Sequence, residues 1–306
     1  MINSVLLIGL GNIGQHYDFD LPLEESLFSH AGAIRNILKP KQVYGIDIDS
    51  SARMRFTNKY GWKSFSNIDS LPYNFYPNLI VLALPSNQRE SKYLELEKFT
   101  SADWLIEKPV CDSGAKIKDV KGYFSKSQGN IFVNYQRRSY PNLVSLRDQL
   151  SQIEMQDSIM ACGYVSGNPL SNVTHMVDLL NFLFEGRKLT KELIDHPEIW
   201  SYHGQNCKAK IINFPESAVN IFRLDVFSGN DYWVYDSALS FIYKGSAQEH
   251  PIYRDELIYA GSSSEQLSGD ELGLRFVYEN LVKFSRNEPY DLCRISAAIE
   301  TMKLYY

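Results

Sequence analysis

Residues 5–14 read VLLIGLGNIG, an apolar run of strand length that passes directly into Gly9, Gly11 and Gly14. That junction limits the fold more than any other feature of the chain. Behind a strand, this G-x-G-x-x-G spacing gives each glycine a task. Gly9 permits a tight turn, Gly11 lets the backbone approach a ligand, and Gly14 lets a helix pack closely on the strand. The pattern alone is short enough to be a plain glycine-rich turn, so its surroundings must decide. Strand-length apolar runs recur at Val5–Ile8, Val43–Ile46, Leu79–Leu84, Trp104–Ile106 and Ile131–Tyr135. Between them lie segments of helical spacing: Leu23, Leu27, Ala31, Ile34 and Leu38 on one face, stopping before Pro40, and a second over Asn87–Phe99. Strands alternating with helices imply right-handed crossovers and a parallel sheet. The run LIVLAL, apolar at every position, suits a strand covered on both faces.

The glycines therefore sit where a dinucleotide fold demands them. The amides of Asn12 and Ile13, at the positive end of the following helix, are expected to hold phosphates. Asp47 ends the second strand, where a carboxylate can accept hydrogen bonds from the adenine ribose. Residue 48 is Ile and the next Arg is Arg53, so no cation stands beside Asp47 in sequence and NAD is favoured over NADP. Asp49 reads as the cap of the helix SSARM. Asp47 lies 33 residues after Gly14, where about 20 is usual. The excess is DFDLPLEESLFS, residues 18–29, broken by Pro22. It reads as an insertion that delays the crossover helix and sits near the cofactor's phosphates.

A chain of 306 residues is long for one core, and two domains are expected: 1–136 for the dinucleotide and 137–306 for substrate and oligomerisation, with the last helix able to pack back on the first. A net charge of −5 without a basic stripe argues against nucleic acid as a partner. Cys111, Cys162, Cys207 and Cys293 are far apart, which predicts reduced thiols and no metal site. The chain enters a strand at once, with no basic leader and no apolar run of about 20 residues, so a cytoplasmic protein with no membrane partner is expected. From about residue 195, β-rich runs (EIWSY, KAKIINF, AVNIFRLDVF, YWVYDSALSFIYK) predict a largely antiparallel open sheet. With 20 Tyr and 16 Phe in the chain, one uncovered face of that sheet is a candidate subunit interface. ELGLRFVYENLVKF and CRISAAIETMKLYY read as two closing helices.

ALPSN follows the fourth strand and IEKPV the fifth. Glu107-Lys108-Pro109 at a strand's carboxyl end, after GLGNIG, GIDID and ALPSN in that order, resembles the Gfo/Idh/MocA oxidoreductases, which include sugar and inositol dehydrogenases. NYQRRSYP (134–141) and THMVDLLNFL (174–183) are similar to that family's arginine strand and histidine helix. The resemblance implies an α/β protein: an N-terminal Rossmann domain, then an α/β domain whose open sheet pairs subunits into a homodimer or homotetramer. It implies NAD as cofactor and a small polyol or sugar as substrate. The cofactor would be held by Gly9, Gly11, Asn12, Ile13, Gly14, Asp47, Leu84, Pro85, Ser86, Asn87, Glu107 and Lys108. His175 would take the hydroxyl proton while Lys108 polarises the oxygen. Tyr135, Arg138 and Asn172 would hold substrate, with Asp178 beside His175. Many members carry an Asp four residues before that His; here Ser171 stands there, with Asn172 next. The position of another family histidine is Arg89. These departures keep two alternatives open: a catalytically silent NAD-binding sensor, or a reductase of a non-sugar substrate.

Overall fold

The computed structural model describes residues 1–237, 241–253, 257–266 and 273–306. The chain forms two compact units. One comprises Met1–Tyr140 and the described residues of Asp270–Met302; the other comprises the described residues of Pro141–Gly269 with Lys303–Tyr306. This differs from the expected 1–136 and 137–306, because more than the last helix returns to the first unit. Leu274, Val277, Tyr278 and Leu281 are buried in that unit's core against Leu10, Ala31 and Ile34, and the Leu274 amide donates to the Leu27 carbonyl at 2.7 Å.

In the first unit β1 (Ser4–Ile8), β2 (Gln42–Ile46), β3 (Lys63–Phe65), β4 (Leu79–Leu82), β5 (Asp103–Ile106) and β6 (Ile131–Val133) form a parallel sheet. Their order is β6-β5-β4-β1-β2-β3, and Cys293–Arg294 adds an antiparallel edge strand beside β6. Residues 293–294 were expected to begin a helix. Leu6, Leu7, Leu79, Ile80, Val81 and Leu82 have no solvent exposure, as a doubly covered sheet requires. The register fixes the site. Ile8 lies opposite Ile46 and Leu82, Leu82 opposite Ile106, and Ile106 opposite Val133. The next residue on each strand therefore falls in one row along the carboxyl edge: Gly9, Asp47, Ala83, Glu107 and Asn134. Backbone hydrogen bonds from Gly9 to Ile46, Ala83 to Ile8, Glu107 to Leu82 and Asn134 to Ile106 (2.8–3.0 Å) carry the ladder into that row.

The first crossover departs from expectation. Asn12–His16 is a single π-helical turn. The main crossover helix, α1 (His30–Ala33), continues as a π turn over Ile34–Leu38. Leu23 and Leu27 lie outside it, because Ser29 accepts from the Gly32 amide and caps the helix there. The intervening insertion is tied down from within. The buried Asp18 carboxylate accepts from the Phe28 and Ser29 amides (2.9 and 3.0 Å) and from Ser29 Oγ (2.6 Å). Lys59 Nζ, on α2 (Ser50–Tyr60), donates to the carbonyls of Asp18, Phe19 and Leu21. After β4 come a 3-10 turn, Ser86–Gln88, and α3 (Arg89–Glu95), shorter than the expected Asn87–Phe99. The later helix α4 spans Ile117–Tyr123.

Among the described residues the second unit holds α5 (Pro141–Ser151), α6 (Pro169–Leu183) and eight strands: β7 (Ile159–Ser166), β8 (Thr190–Glu192), β9 (Ile199–Gly204), β10 (Cys207–Phe214), β11 (Phe222–Ser228), β12 (Asp231–Asp236), β13 (Phe241–Glu249) and β14 (Leu257–Gln266). They run in the order β14-β13-β12-β11-β7-β10-β9-β8, and among the described residues only β7 and β10 pair in parallel. The sheet is thus largely antiparallel. Part of YWVYDSALSFIYK (238–240) and of ELGLRFVYENLVKF (271–272) falls outside the described residues. Asn168 caps α6 and Pro169 occupies its first turn. Gly163 on β7 lets the helix close down, since a Cβ there would lie 2.8 Å from Met176 Cγ. The two closing helices are α7 (Arg275–Ser285) and α8 (Ile295–Tyr305).

Candidate active site

The three glycines meet three different surroundings. Gly9 has φ +91, and a Cβ on it would lie 2.6 Å from the Ala83 carbonyl oxygen. A Cβ on Gly14 would lie 2.1 Å from the Gly9 carbonyl oxygen, so the turn packs on the strand only as glycine. At Gly11 a Cβ would meet nothing within 4 Å. Its side of the backbone faces open space, the shape a phosphate-bearing ligand needs. The first amide to donate within the Asn12–His16 turn is that of Gln15, to Gly11, leaving Asn12, Ile13 and Gly14 at its open end. The cradle rests on these local amides; the helix expected to follow the glycines is a five-residue π turn.

Beside the turn lies a cleft of about 460 Å³ lined by Ile8, Gly9, Gly11, Ile46, Asp47, Ile48, Ser66, Ala83, Leu84, Pro85, Gln88, Ser91 and Lys92. The expected residues Gly9, Gly11, Asp47, Leu84 and Pro85 converge here, with Ser86 and Asn87 on the adjoining 3-10 turn. Sequence reasoning missed Ile48, Ser66, Gln88, Ser91 and Lys92. The last three could have been found as one polar face of α3 and its lead-in turn. Asp47 Oδ2 accepts from the Leu10 amide at 2.7 Å and Oδ1 from the Asp49 amide at 2.9 Å. These bonds lock the carboxylate at the cleft wall. Arg53 does stand near: its Nη1 donates to the Asp47 and Ile48 carbonyls at 2.7 and 2.9 Å. That corrects the expectation of no neighbouring cation, although this nitrogen is engaged by backbone. An open phosphate approach, a carboxylate at the second strand's end and an apolar slot between them fit a dinucleotide.

The Glu107-Lys108-Pro109 segment, with a cis Lys108–Pro109 bond, is held by a residue the sequence marked only as a departure. Arg89 is buried, its Nε donating to the Leu84 carbonyl at 2.7 Å and Nη2 to Lys108 at 3.2 Å. Nη1 donates to the carbonyls of Glu107 and Pro109. One guanidinium thus fixes both the post-β4 turn and the lysine's backbone, a geometry that an ammonium cannot reproduce. The Glu107 side chain turns inward. Its Oε1 accepts from Asn134 Nδ2 at 2.5 Å and faces His30 Nε2 at 3.0 Å, while His30 Nδ1 faces the Tyr278 hydroxyl at 2.8 Å. All four side chains are buried. Burial pushes the Glu107 carboxyl up, but hydrogen bonds from His30 and the Asn134 amide, with the charge of Lys108, outweigh it and hold it below the ordinary carboxylate range. Half-buried Lys108 is held below the ordinary lysine value by burial; Glu107 opposes this, and Arg137 and Arg89 add to it. An ammonium so placed is desolvated, charged by balance, and able to stabilise developing negative charge on oxygen.

Other expected site residues fare differently. Tyr135 is buried, with its hydroxyl 3.9 Å from Met302 Sδ. β6 ends at Val133, and the chain turns before Tyr135 can point along the strand. Arg138 is half-buried on the 3-10 turn Gln136–Ser139. On α6, Asn172 donates through Nδ2 to the Ser166 carbonyl, closing the turn between β7 and the helix; that amide nitrogen serves the fold. Asn168 Oδ1 accepts from the Ser171 amide at 3.1 Å. His175 and Asp178 are buried on the same helix, the former edge-on to Phe222. The described residues contain no cluster of His, Cys, Asp and Glu able to hold a metal. No described helix is long and apolar enough to cross a membrane.

Residues 3–135 match a family model described as an oxidoreductase family, NAD-binding Rossmann fold. No curated protein sequence matches the chain. Solved structures share its fold at low identity. The WlbA dehydrogenase from Chromobacterium violaceum, in complex with NADH and UDP-GlcNAcA, is 14% identical with a TM-score of 0.72, over 99% of this chain and 91% of that one. A putative NADPH-dependent oxidoreductase from Desulfitobacterium hafniense is 13% identical with a TM-score of 0.75, over 99% and 93%. UDP-N-acetylglucosamine 3-dehydrogenase GnnA from Acidithiobacillus ferrooxidans is 12% identical with a TM-score of 0.70, over 100% and 96%. Residues 3–135, with their glycine turn, Asp47 and the Glu107-Lys108-Pro109 edge, are an NAD-binding Rossmann domain that matches the Gfo/Idh/MocA oxidoreductase family.

Proposed function

We propose that the protein transfers a hydride between NAD and a secondary alcohol or ketone of a sugar nucleotide, sugar or cyclitol. The observation that carries this reading is Lys108, desolvated at the carboxyl edge of the NAD-binding sheet and fixed there by Arg89. When bound, NAD supplies the hydride acceptor. The chain does the rest. The amides after Gly11 and the Asp47 carboxylate hold the two ends of the adenosine diphosphate portion. Lys108 stabilises the substrate oxygen as it gains negative charge, and His175 accepts the hydroxyl proton. Arg138, Tyr135 and Asn172 are proposed as substrate contacts, Asn172 through its amide oxygen since Nδ2 bonds the Ser166 carbonyl, and Asp178 as the group orienting His175. The oxidoreductase family and the UDP-sugar held by one structural neighbour make UDP-sugars the first class to test. NAD is proposed over NADP because Asp47 stands where a 2′-phosphate would lie. We further propose that subunits pair through the face of the second sheet that exposes Met160 and Phe214; a monomer in light scattering at micromolar concentration would count against it.

The test is a panel of UDP-sugars, free sugars and inositols with NAD, using the parent protein and Lys108→Ala. Turnover by the parent, lost in the variant by roughly 10²–10⁴-fold with NADH affinity retained, is the expected result. A ligand from the panel that binds without ever reducing NAD would favour the sensor.

A further inference from the structure

The buried line Tyr278–His30–Glu107 is used by nothing described so far. His30 has no solvent exposure, as has Tyr278, and both imidazole nitrogens are engaged. One proton arrangement satisfies every member. The Tyr278 hydroxyl donates to Nδ1, Nε2–H donates to Glu107 Oε1, and Asn134 adds a second donor to the same oxygen. Glu107 then stays ionised within the fold, and its charge acts on the residue that follows it, Lys108. The imidazole is delivered by the insertion: Asp18 binds the Ser29 amide and hydroxyl, and Ser29 caps the helix that His30 opens.

Resting on the function proposed above, we propose that the 18–29 insertion serves to seat His30 as a positioning residue for Lys108, acting through the Glu107 carboxylate. His30 faces Glu107 and Tyr278, with Asp18 and Tyr60 at the insertion behind it. Lys108 is influenced by Glu107, Arg89 and Arg137. With Nε2–H removed, a buried carboxylate loses a donor and binds a proton more readily. A neutral Glu107 no longer offsets the burial and the two arginines that draw protons off Lys108. The lysine then holds its proton less tightly. Replacement by Gln keeps an N–H near the Nε2 position, whereas Leu does not.

The test reads Lys108 directly, without turnover: competitive acetylation with acetic anhydride across pH 6–10, with mass spectrometry of the peptide bearing Lys108. His30→Leu should lower the midpoint by about one unit, which makes labelling at a fixed pH below it roughly tenfold faster. His30→Gln should titrate within a few tenths of a unit of the parent. If the Leu variant fails to fold, Tyr278→Phe, which removes only the Nδ1 donor, should move the midpoint the same way by less. A midpoint in the Leu variant, or in Tyr278→Phe where it is the one that folds, unchanged or raised overturns the inference. Lys108→Ala with parental turnover would instead sink the functional reading and leave the labelling result standing.

Discussion

Gly14 and Gly11 lie three residues apart in one turn, and their surroundings predict opposite consequences for the same added methyl. At Gly14 the new Cβ would sit 2.1 Å from the Gly9 carbonyl oxygen, about 1 Å or more inside any contact that side-chain carbons make. Both partners are backbone, so relief requires the turn to lift from β1 or Gly9 to leave φ +91. Overpacking of this kind costs about 1–3 kcal/mol. Gly14→Ala should therefore lower the urea midpoint by that amount divided by the m-value. At Gly11 the methyl meets no protein atom within 4 Å, and φ −79 is ordinary for alanine. Stability should be unchanged or slightly raised, because alanine restricts the unfolded chain. The methyl would instead occupy the space assigned to the pyrophosphate. If the same 1–3 kcal/mol is lost from the complex, NADH affinity falls about 5- to 150-fold. Urea denaturation and NADH fluorescence titration on both variants separate the two effects. A parental midpoint in Gly14→Ala, or parental NADH affinity in Gly11→Ala, would refute the placement of the turn.

Arg89→Lys should cost about 2 kcal/mol or more, since one ammonium cannot serve the carbonyls of Leu84, Glu107, Lys108 and Pro109, and each buried carbonyl left unpaired costs about 1–3 kcal/mol; chemical denaturation reads it. Glu107 ionises below its unfolded value in the folded protein, so its stabilisation is present above about pH 4.3 and is lost as the pH falls through the lowered value. Glu107→Gln should accordingly show a shallower decline in stability between pH 5 and pH 2 than the parent. Titration with both cofactors should give tighter binding of NADH than NADPH, and Asp47→Ser should narrow the gap; equal affinities in the parent would remove Asp47 from the ribose.

Much of the first unit was legible because its signals are local. Apolar runs such as LIVLAL suit a doubly covered strand, and Gly14 must be glycine because of Gly9, five residues before it, although Gly9 itself is constrained by the distant Ala83 carbonyl. The short strands Lys63–Phe65 and Cys293–Arg294 carry no such pattern; pairing with β2 and β6 defines them. The helix expected from Leu23 began at His30 because a side-chain cap at Ser29 and the Asp18 contacts outweigh apolar spacing. The edge residues Asp47, Glu107 and Lys108 were visible as strand ends. What holds them was not. Arg89 stood out only as replacing a family histidine, and His30, the residue after the insertion, carried no signal of its own. Their partners lie 18 and 77 residues away in the chain, at Glu107, and only the fold brings them together. Tyr135 and Asn172 show the same limit from the other side: the fold also engages these polar side chains, at Met302 and at the Ser166 carbonyl, which no local pattern foretold.

Hydride transfer from a substrate carbon to NAD at this sheet edge is read out by incubating the protein with NAD and UDP-sugars carrying deuterium at each ring carbinol position in turn, then measuring the mass of the NADH formed. Deuterium recovered in NADH from one position, and none from it with Lys108→Ala, is the predicted result. No labelled NADH from any position of a UDP-sugar, free sugar or inositol that demonstrably binds would contradict it.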